Sequence, residues 1–161
     1  MNVQEATTRR LPDLKGRYLP ENCRETINTI LKETYGYEQF RNLEIYDDLS
    51  KGKEKLCISQ GQLIENVILE AEKAWKSETQ VDNILLTAPT GSGKSLLFQL
   101  PAIYLGKEYN LLTIVVSPLK ALIVDQVESL QELGYARVAY ASSDLSPEQK
   151  MEVYRQVRGG E

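Results

Sequence analysis

A glycine-rich turn between two apolar stretches constrains this chain more than any other feature. In "LLTAPTGSGKSLLFQLPAIYL", residues 85–105, one apolar run stops at the turn and another begins after Lys94 and Ser95. Gly91 and Gly93 allow backbone N–H groups to turn inward around an anion without a Cβ in the way. A helix after the turn would direct its positive end at the same anion. The segment therefore predicts a phosphate-binding loop between a strand and a helix.

The residue types around the turn specify the ligand. Ala88, Gly93, Lys94 and Ser95 fit the P-loop pattern, with alanine in place of the usual first glycine. In this pattern the lysine reaches the β- and γ-phosphates, and the serine hydroxyl ligates Mg²⁺. We therefore predict a site for a nucleoside triphosphate and Mg²⁺, with Lys94 and Ser95 as catalytic residues and Ser95 as the metal ligand. The predicted loop comprises Pro89, Thr90, Gly91, Ser92, Gly93, Lys94 and Ser95.

Strand and helix patterns alternate through the second half of the chain. Strands are predicted at 81–89, 111–118 and 136–142, and helices at 93–105, 119–134 and 146–160. The middle strand is apolar nearly throughout, as in a strand covered on both faces. Pro101 predicts a kink, Gly134 a helix end and Ser146 an N-cap. Together these features predict an α/β fold with a parallel sheet and right-handed crossovers. The inward face of the helix at 119–134 is predicted to comprise Leu119, Leu122, Ile123, Val127, Leu130 and Leu133.

The first half reads as mostly helical. An irregular arm at 1–20 precedes a helix that ends at Gly36 and buries three residues, Ile27, Ile30 and Leu31. The charged run "KGKEK" at 51–55 predicts a solvated loop. A second helix at 59–75 is predicted to bury Leu63, Val67, Ile68, Ala71 and Trp75. We therefore divide the chain into an N-terminal segment, 1–80, and a phosphate-loop region, 81–161.

Composition excludes several classes of function. The chain of 161 residues contains no histidine, which excludes histidine acid–base chemistry, and only two cysteines, which fits a reducing cytosol. No apolar run is long enough to span a membrane. The net charge is −4, without a basic tail, so any nucleic-acid contact must come from a local groove.

Several ordered blocks resemble the RecQ-like branch of the superfamily 2 helicases of the DEAD/DEAH type. "APTGSGKSLLFQLPAIYL" resembles motif I of that family, and "VVSPLKALIVDQVESLQELG" resembles motif Ia. "LKETYGYEQFR" is similar to the start of motif 0, which recognises adenine. The resemblance implies a RecA-like P-loop NTPase lobe, ATP and Mg²⁺ as cofactors, and single-stranded or partly duplex DNA as partner.

The resemblance also implies roles for individual residues. Tyr37 would stack on adenine, Arg41 would make a polar contact, and Gln62 would pair with the base, although residues 42–60 intervene where the family has almost none. The alternative is a core aromatic and a polar residue at a helix start. From motif Ia, the residues expected to contact single-stranded nucleic acid are Ser117, Lys120 and Gln126; for Lys120 the alternative is a solvent-exposed lysine near a helix start.

The chain departs from the family pattern after motif Ia. The Asp-Glu pair of motif II does not occur after Lys94, and the second motor lobe is absent, so we expect a truncated first lobe that is inactive by itself. The leading hypothesis is the ATP-binding portion of a DNA helicase that couples ATP hydrolysis to strand translocation or unwinding. The alternatives are a P-loop phosphotransferase and a non-catalytic nucleotide- or nucleic-acid-binding helicase remnant.

Overall fold

The computed structural model describes residues 18–46, 55–76, 83–87 and 90–159. Five helices and one two-stranded antiparallel sheet form within these ranges. Residues 1–17 of the predicted arm and 51–54 of the predicted loop lie outside the described residues. In chain order the elements are α1 (Glu21–Tyr35), β1 (Asn42–Tyr46), β2 (Lys55–Ser59), α2 (Gln60–Trp75), α3 (Leu96–Tyr109), α4 (Lys120–Glu132) and α5 (Pro147–Gly159).

α1 forms where the apolar periodicity predicts it. Ile27, Ile30 and Leu31 are buried, and the helix ends at Gly36, whose φ of 69° is left-handed. The Gly36 N–H donates to the Lys32 carbonyl oxygen over 3.0 Å, which satisfies one of the last free carbonyls of the helix. The predicted helix and its glycine stop are thus confirmed.

The segment that interrupts motif 0 contains a β-hairpin. β1 pairs antiparallel with β2, and Asn42 lies opposite Ser59. The Gln60 N–H donates to the Arg41 carbonyl oxygen over 2.9 Å, directly beyond this pair. The hairpin therefore brings Arg41 and Gln60 side by side, although 18 residues lie between them in the sequence.

The apolar core joins α1, α2 and α3, so it includes residues on both sides of residue 80. Leu63 and Ile68 of α2 are buried as predicted, whereas Trp75 is 57% exposed, which contradicts its predicted inward position. At the end of α2 the contact with α3 is polar instead, because the Tyr109 hydroxyl donates to Glu72 over 2.6 Å. The fully buried large side chains of the core are Tyr104, Leu19, Ile27, Ile30, Leu31, Ile58, Ile64, Ile68, Leu100, Ile103 and Pro101.

The parallel sheet predicted for the second half does not form in the described part of the chain. Residues 83–87, 111–118 and 136–142 carry no strand, and the only sheet in the described ranges is the hairpin β1–β2. Leu85 and Val116 are 92% and 91% exposed. A strand requires a neighbour that completes its hydrogen-bond ladder, and these segments have none among the described residues. They touch the core through single side chains such as Leu86, Leu111 and Val138.

The last two helices form as predicted but bury less surface. In α4, Val127 and Leu130 are buried, whereas the flanking Leu119 and Leu133 are exposed, contrary to the predicted inward face; Leu122 is exposed as well. The missing sheet explains this difference, because it would have supplied the surface that covers them. Gly134 follows α4 with a φ of 83°, which confirms it as the helix stop.

α5 begins with a capping box. The Ser146 hydroxyl accepts from the Gln149 N–H over 3.2 Å, and the Gln149 side chain accepts from the Ser146 N–H over 2.9 Å. The predicted N-cap is confirmed. α5 has no buried residue, so local capping and not packing defines its start. Among the described residues, no helix is long and apolar enough to cross a membrane.

Candidate nucleotide-binding site

The phosphate loop adopts a conformation that requires its glycines. Gly91 and Gly93 have φ values of 81° and 78°, in the left-handed region that side chains rarely adopt. The loop runs directly into α3, with Ser95 as the residue before the first helical position. The N-terminal end of α3 therefore lies at the end of the loop, where its dipole favours an anion.

The loop fits a phosphate group by two further observations. The Ser92 hydroxyl is buried and has no hydrogen-bond partner among the described residues. A Cβ at Gly91 would meet nothing within 4 Å, so no other atom fills the space beside this residue. Lys94 and Thr90 are exposed, and Pro89 lies outside the described residues. A buried donor beside an open turn is what a phosphate oxygen would satisfy.

Gln60, the first residue of α2, connects the loop with the end of motif 0. Its Nε2 donates to the Ser92 carbonyl oxygen over 3.2 Å. Its Oε1 accepts from the Arg41 backbone N–H over 3.1 Å. The side chain is almost fully buried, with 2% exposure. One amide group therefore contacts both the phosphate loop and Arg41, the residue before β1.

Gln60 also packs closely against Gly93, the second glycine of the loop. A Cβ built on Gly93 would lie 2.5 Å from Gln60 Nε2, which is closer than such atoms come in proteins. Only glycine at position 93 allows this contact together with the positive φ.

A cavity of about 250 Å³ opens beside the loop. This volume is slightly smaller than the pockets of roughly 300–1,000 Å³ that hold drug-sized ligands, so it suits one aromatic ring system better than a whole nucleotide. The lining residues come from α1, the segment after it, α2, the loop and α3: Tyr35, Tyr37, Gln39, Arg41, Gln60, Gly93, Ser95, Leu96 and Gln99.

One wall of the cavity is aromatic and cationic. The rings of Tyr35 and Tyr37 stack with a centroid distance of 6.4 Å and an angle of 14°. The Arg41 guanidinium lies 6.0 Å from the centre of the Tyr37 ring, within the range of a cation–π contact. Tyr37 is 48% exposed, so part of its side chain is open to solvent. Tyr37 and Arg41 therefore lie beside one another at the edge of the cavity.

Gln62 does not take the position predicted for it. It is half-buried within α2 and is not among the residues that line the cavity, whereas Gln60 is. Gly61, which lies between the two glutamines, packs closely on Phe40: a Cβ there would lie 2.6 Å from the Phe40 ring. The first turn of α2 thus lies against the end of motif 0, with Gln60 at the cavity.

Magnesium ligands are few near the loop. Within the described ranges, no three His, Cys, Asp or Glu side chains lie close enough together to hold a metal ion. Ser95 lines the cavity beside Gly93. A Mg²⁺ ion here would therefore take its ligands from the Ser95 hydroxyl, nucleotide phosphates and water.

Of the residues predicted from motif Ia, Lys120 and Gln126 lie at the start and in the middle of α4, and Ser117 precedes the helix. The Ser117 hydroxyl accepts from the Leu119 N–H over 3.4 Å. Lys120 forms an exposed ion pair with Asp144 over 2.6 Å, and this hydrogen bond is the main reason that the pKa of Asp144 lies below its usual value. Gln126 instead accepts a hydrogen bond from Gln99 Nε2 over 2.6 Å. The three side chains thus have different partners.

The protein-family comparison decides what kind of phosphate loop this is. Residues 68–159 match the model of the DEAD/DEAH box helicase family. The chain belongs to the DEAD/DEAH box helicases. RecQ-type relatives confirm the more specific resemblance that the motifs of the chain indicate.

The relatives are RecQ-type proteins. The ATP-dependent DNA helicase RecQ of Synechocystis sp. is 32% identical over 82% of this chain and 21% of its own length. The RecQ helicase of Haemophilus influenzae is 30% identical over 84% of this chain and 17% of its own length. Human ATP-dependent DNA helicase Q4 is 39% identical over 48% of this chain and 6% of its own length. This helicase chain therefore spans about a fifth or less of these relatives. No solved structure matches it significantly.

Sequence reasoning did not select Gln60 or Gln99, two polar residues that line the cavity. The pair Gln60 and Gln62 flanks a single glycine, so the letters alone allow either residue to face the ligand. Gln99 lies in the apolar run after the loop, where its amide is 8% exposed. An amide within such a run requires hydrogen-bond partners, and that requirement was the available signal.

Proposed function

We propose that this chain binds ATP as part of the first motor lobe of a RecQ-like DNA helicase. The observation that carries the proposal is the position of Gln60, which contacts the phosphate loop and lines the base-sized cavity. A phosphate loop alone is common to many enzyme classes. A cavity with an amide and an aromatic wall beside the loop adds recognition of a purine base.

Base recognition is assigned to Gln60 in place of Gln62. A glutamine amide oxygen has two lone pairs and its NH₂ group has two hydrogens. The contacts with Arg41 and Ser92 use one of each. The remaining acceptor and donor suit the N6 amino group and N7 of adenine, with the base against the Tyr37 side chain. Arg41 completes this wall.

The triphosphate is assigned to the loop and its flanks. Backbone N–H groups from Thr90 to Gly93 would hold the β-phosphate, Lys94 would supply the charge for the β- and γ-phosphates, and Ser95 would be a ligand of Mg²⁺. The bound Mg²⁺ would neutralise charge on the phosphates when the γ-phosphoryl group is transferred to water. The residues of this chain bind and orient the nucleotide.

A hydrolysis step requires carboxylates that the described residues do not place at the loop. Asp125 and Glu128 are exposed on α4, and Asp144 is paired with Lys120. We therefore propose that ATP hydrolysis, and the translocation or unwinding it drives, belongs to a complete helicase with motif II and a second lobe. The chain alone binds ATP without turnover.

Nucleic-acid binding is assigned to the start of α4. Ser117 and Lys120 offer a hydroxyl and a cation to phosphates of a DNA strand. Gln126 adds amide donors on the same helix. The two cysteines are free, as in proteins of the reducing cytosol, the location that we propose.

Isothermal titration calorimetry with Mg-ATP tests the nucleotide site. Lys94→Ala removes the cation aimed at the phosphates and is expected to weaken binding by about 2 kcal/mol, or about 30-fold. Lys107→Ala, an exposed lysine in the last turn of α3, is the matched control and is expected to bind like the unmodified chain. Equal affinity of the two variants, or no binding by the unmodified chain, would refute the proposal.

A further inference from the structure

A short series of hydrogen bonds joins the cavity to α4. The Tyr35 hydroxyl at the end of α1 donates to Gln99 Oε1 over 3.3 Å. Gln99 Nε2, on α3, donates to Gln126 Oε1 on α4 over 2.6 Å. Tyr35 and Gln99 both line the cavity, and Gln126 does not. The series therefore begins at the proposed base site and ends on the helix assigned to nucleic acid.

The three side chains use complementary groups. The Tyr35 hydroxyl donates to the Gln99 oxygen, and the Gln99 NH₂ group donates to the Gln126 oxygen. Burial, and then the nearby Tyr135, raises the pKa of Tyr35 above its usual value, so the hydroxyl stays protonated well above neutral pH. A rotation of the Gln99 amide alone would place its oxygen against the Gln126 oxygen and break that bond. One side chain thus takes part in both contacts.

Within the described ranges α4 buries few residues. Val127 and Leu130 are its buried residues, and α5, which follows it, buries none. The hydrogen bond from Gln99 therefore adds a polar contact to a helix with a small buried surface. A helix held by few contacts responds to the gain or loss of one of them.

We propose that Gln99 and Gln126 are positioning residues that make the placement of α4 depend on nucleotide in the cavity. The proposal rests on the nucleotide site proposed above. A base in the cavity restricts Tyr35 and Gln99, and the oriented Gln99 amide holds Gln126 and with it α4. The two N–H groups of Gln126 are not used in this bond, so the same side chain can donate to a DNA phosphate. Nucleotide and strand would then be coupled through one pair of amides.

Hydrogen–deuterium exchange of the α4 backbone amides, with and without saturating Mg-ADP, tests this coupling. Gln126→Met keeps the size of the side chain and removes the acceptor, whereas Gln126→Glu keeps an acceptor oxygen. Gln131→Leu changes an exposed glutamine of α4 and is the matched control. Calorimetry with Mg-ADP is run on every variant, so that exchange is compared at equal saturation.

Mg-ADP is expected to slow exchange in α4 about fivefold in the unmodified chain, in Gln126→Glu and in Gln131→Leu, the factor that one hydrogen bond typically supplies. In Gln126→Met the slowing is expected to disappear although Mg-ADP is bound. Equal slowing in Gln126→Met, or bound Mg-ADP without slowing in the unmodified chain, would overturn the coupling alone. An unmodified chain that does not bind Mg-ADP would overturn the nucleotide site and the coupling together.

Discussion

The Gln60 side chain donates a hydrogen bond to the Ser92 carbonyl oxygen over 3.2 Å, and so the first residue of α2 holds the backbone of the phosphate loop. The same amide accepts from Arg41 at the end of motif 0. The residues proposed to contact the base and those proposed to contact the phosphates are therefore connected through one side chain. A change at either part is expected to disturb the other.

Base selectivity should depend on Gln60 and not on Gln62. We expect the unmodified chain to bind ATP more tightly than GTP, because the Gln60 amide complements N6 and N7 of adenine. Gln60→Ala should remove this preference, while Gln62→Ala should preserve it. Competition binding with the two nucleotides measures the ratio. If Gln62→Ala loses the preference instead, the assignment made from the sequence is right and ours is wrong.

Gly93→Ala should remove the preference for ATP, as Gln60→Ala does, whereas Gly91→Ala should preserve it. Both substitutions place a side chain at a left-handed φ, with a cost of about 1–2 kcal/mol each. Only the Cβ at position 93 meets Gln60, at 2.5 Å, so only Gly93→Ala displaces that amide. We expect both variants to lose stability in denaturant titrations and Gly93→Ala alone to lose the preference for ATP. Equal selectivity in the two variants would show that Gln60 tolerates the added methyl group.

The ion pair between Lys120 and Asp144 should compete with nucleic acid. Asp144→Asn removes the anion that occupies Lys120, so we expect tighter binding of a single-stranded DNA oligonucleotide in fluorescence anisotropy. Lys120→Ala should weaken binding. It should also make the negative slope of log K against log salt shallower by about 0.7, the value for one lost phosphate contact on a single strand. Lys107→Ala is the control for net charge. Identical salt slopes for Lys120→Ala and Lys107→Ala would place the strand elsewhere.

Alkaline stability should report the contact between Tyr109 and Glu72. The hydrogen bond to Glu72, helped by burial, raises the pKa of Tyr109 from 10.0 to about 12. The unfolded chain then loses this proton first as the pH rises, so the folded state binds more protons and stability falls between pH 10 and 12. Tyr109→Phe should lower the free energy of unfolding by about 1 kcal/mol at neutral pH and make its fall with rising pH shallower.

Urea titrations from pH 7 to pH 11.5 measure both effects, with Tyr154→Phe as a control on the exposed side of α5. A fall in stability with the same slope in Tyr109→Phe and in the unmodified chain would mean that other tyrosines carry the alkaline dependence.

The features predictable from the sequence are those that depend on neighbouring residues. α1 and its stop at Gly36 follow from apolar spacing and one glycine, and the start of α5 follows from the pair Ser146 and Pro147. The left-handed turns at Gly91 and Gly93 follow from the loop pattern in the same way. Each of these features is stabilised within a few residues of the chain, so a local pattern is sufficient evidence for it.

The features that escaped prediction depend on distant partners. The apolar runs around Leu85 and Val116 have strand composition, but a strand also needs a paired neighbour, and the described residues provide none. Gln60 and not Gln62 lines the cavity at the point where the hairpin returns the chain and brings Gly61 against the Phe40 ring. No spacing rule includes that contact, because the number of residues between Phe40 and Gly61 does not determine their distance.

The hairpin β1–β2 has a consequence for how this chain can be altered. Its two strands leave and re-enter the cavity wall at Arg41 and Gln60, and the Gln60 N–H donates to the Arg41 carbonyl oxygen over 2.9 Å. Residues added to or deleted from β1 and β2 in matched pairs leave this junction unchanged, since antiparallel pairing transmits no change of register to the base of the ladder. The length of the inserted segment is therefore decoupled from the geometry of the residues on either side of it.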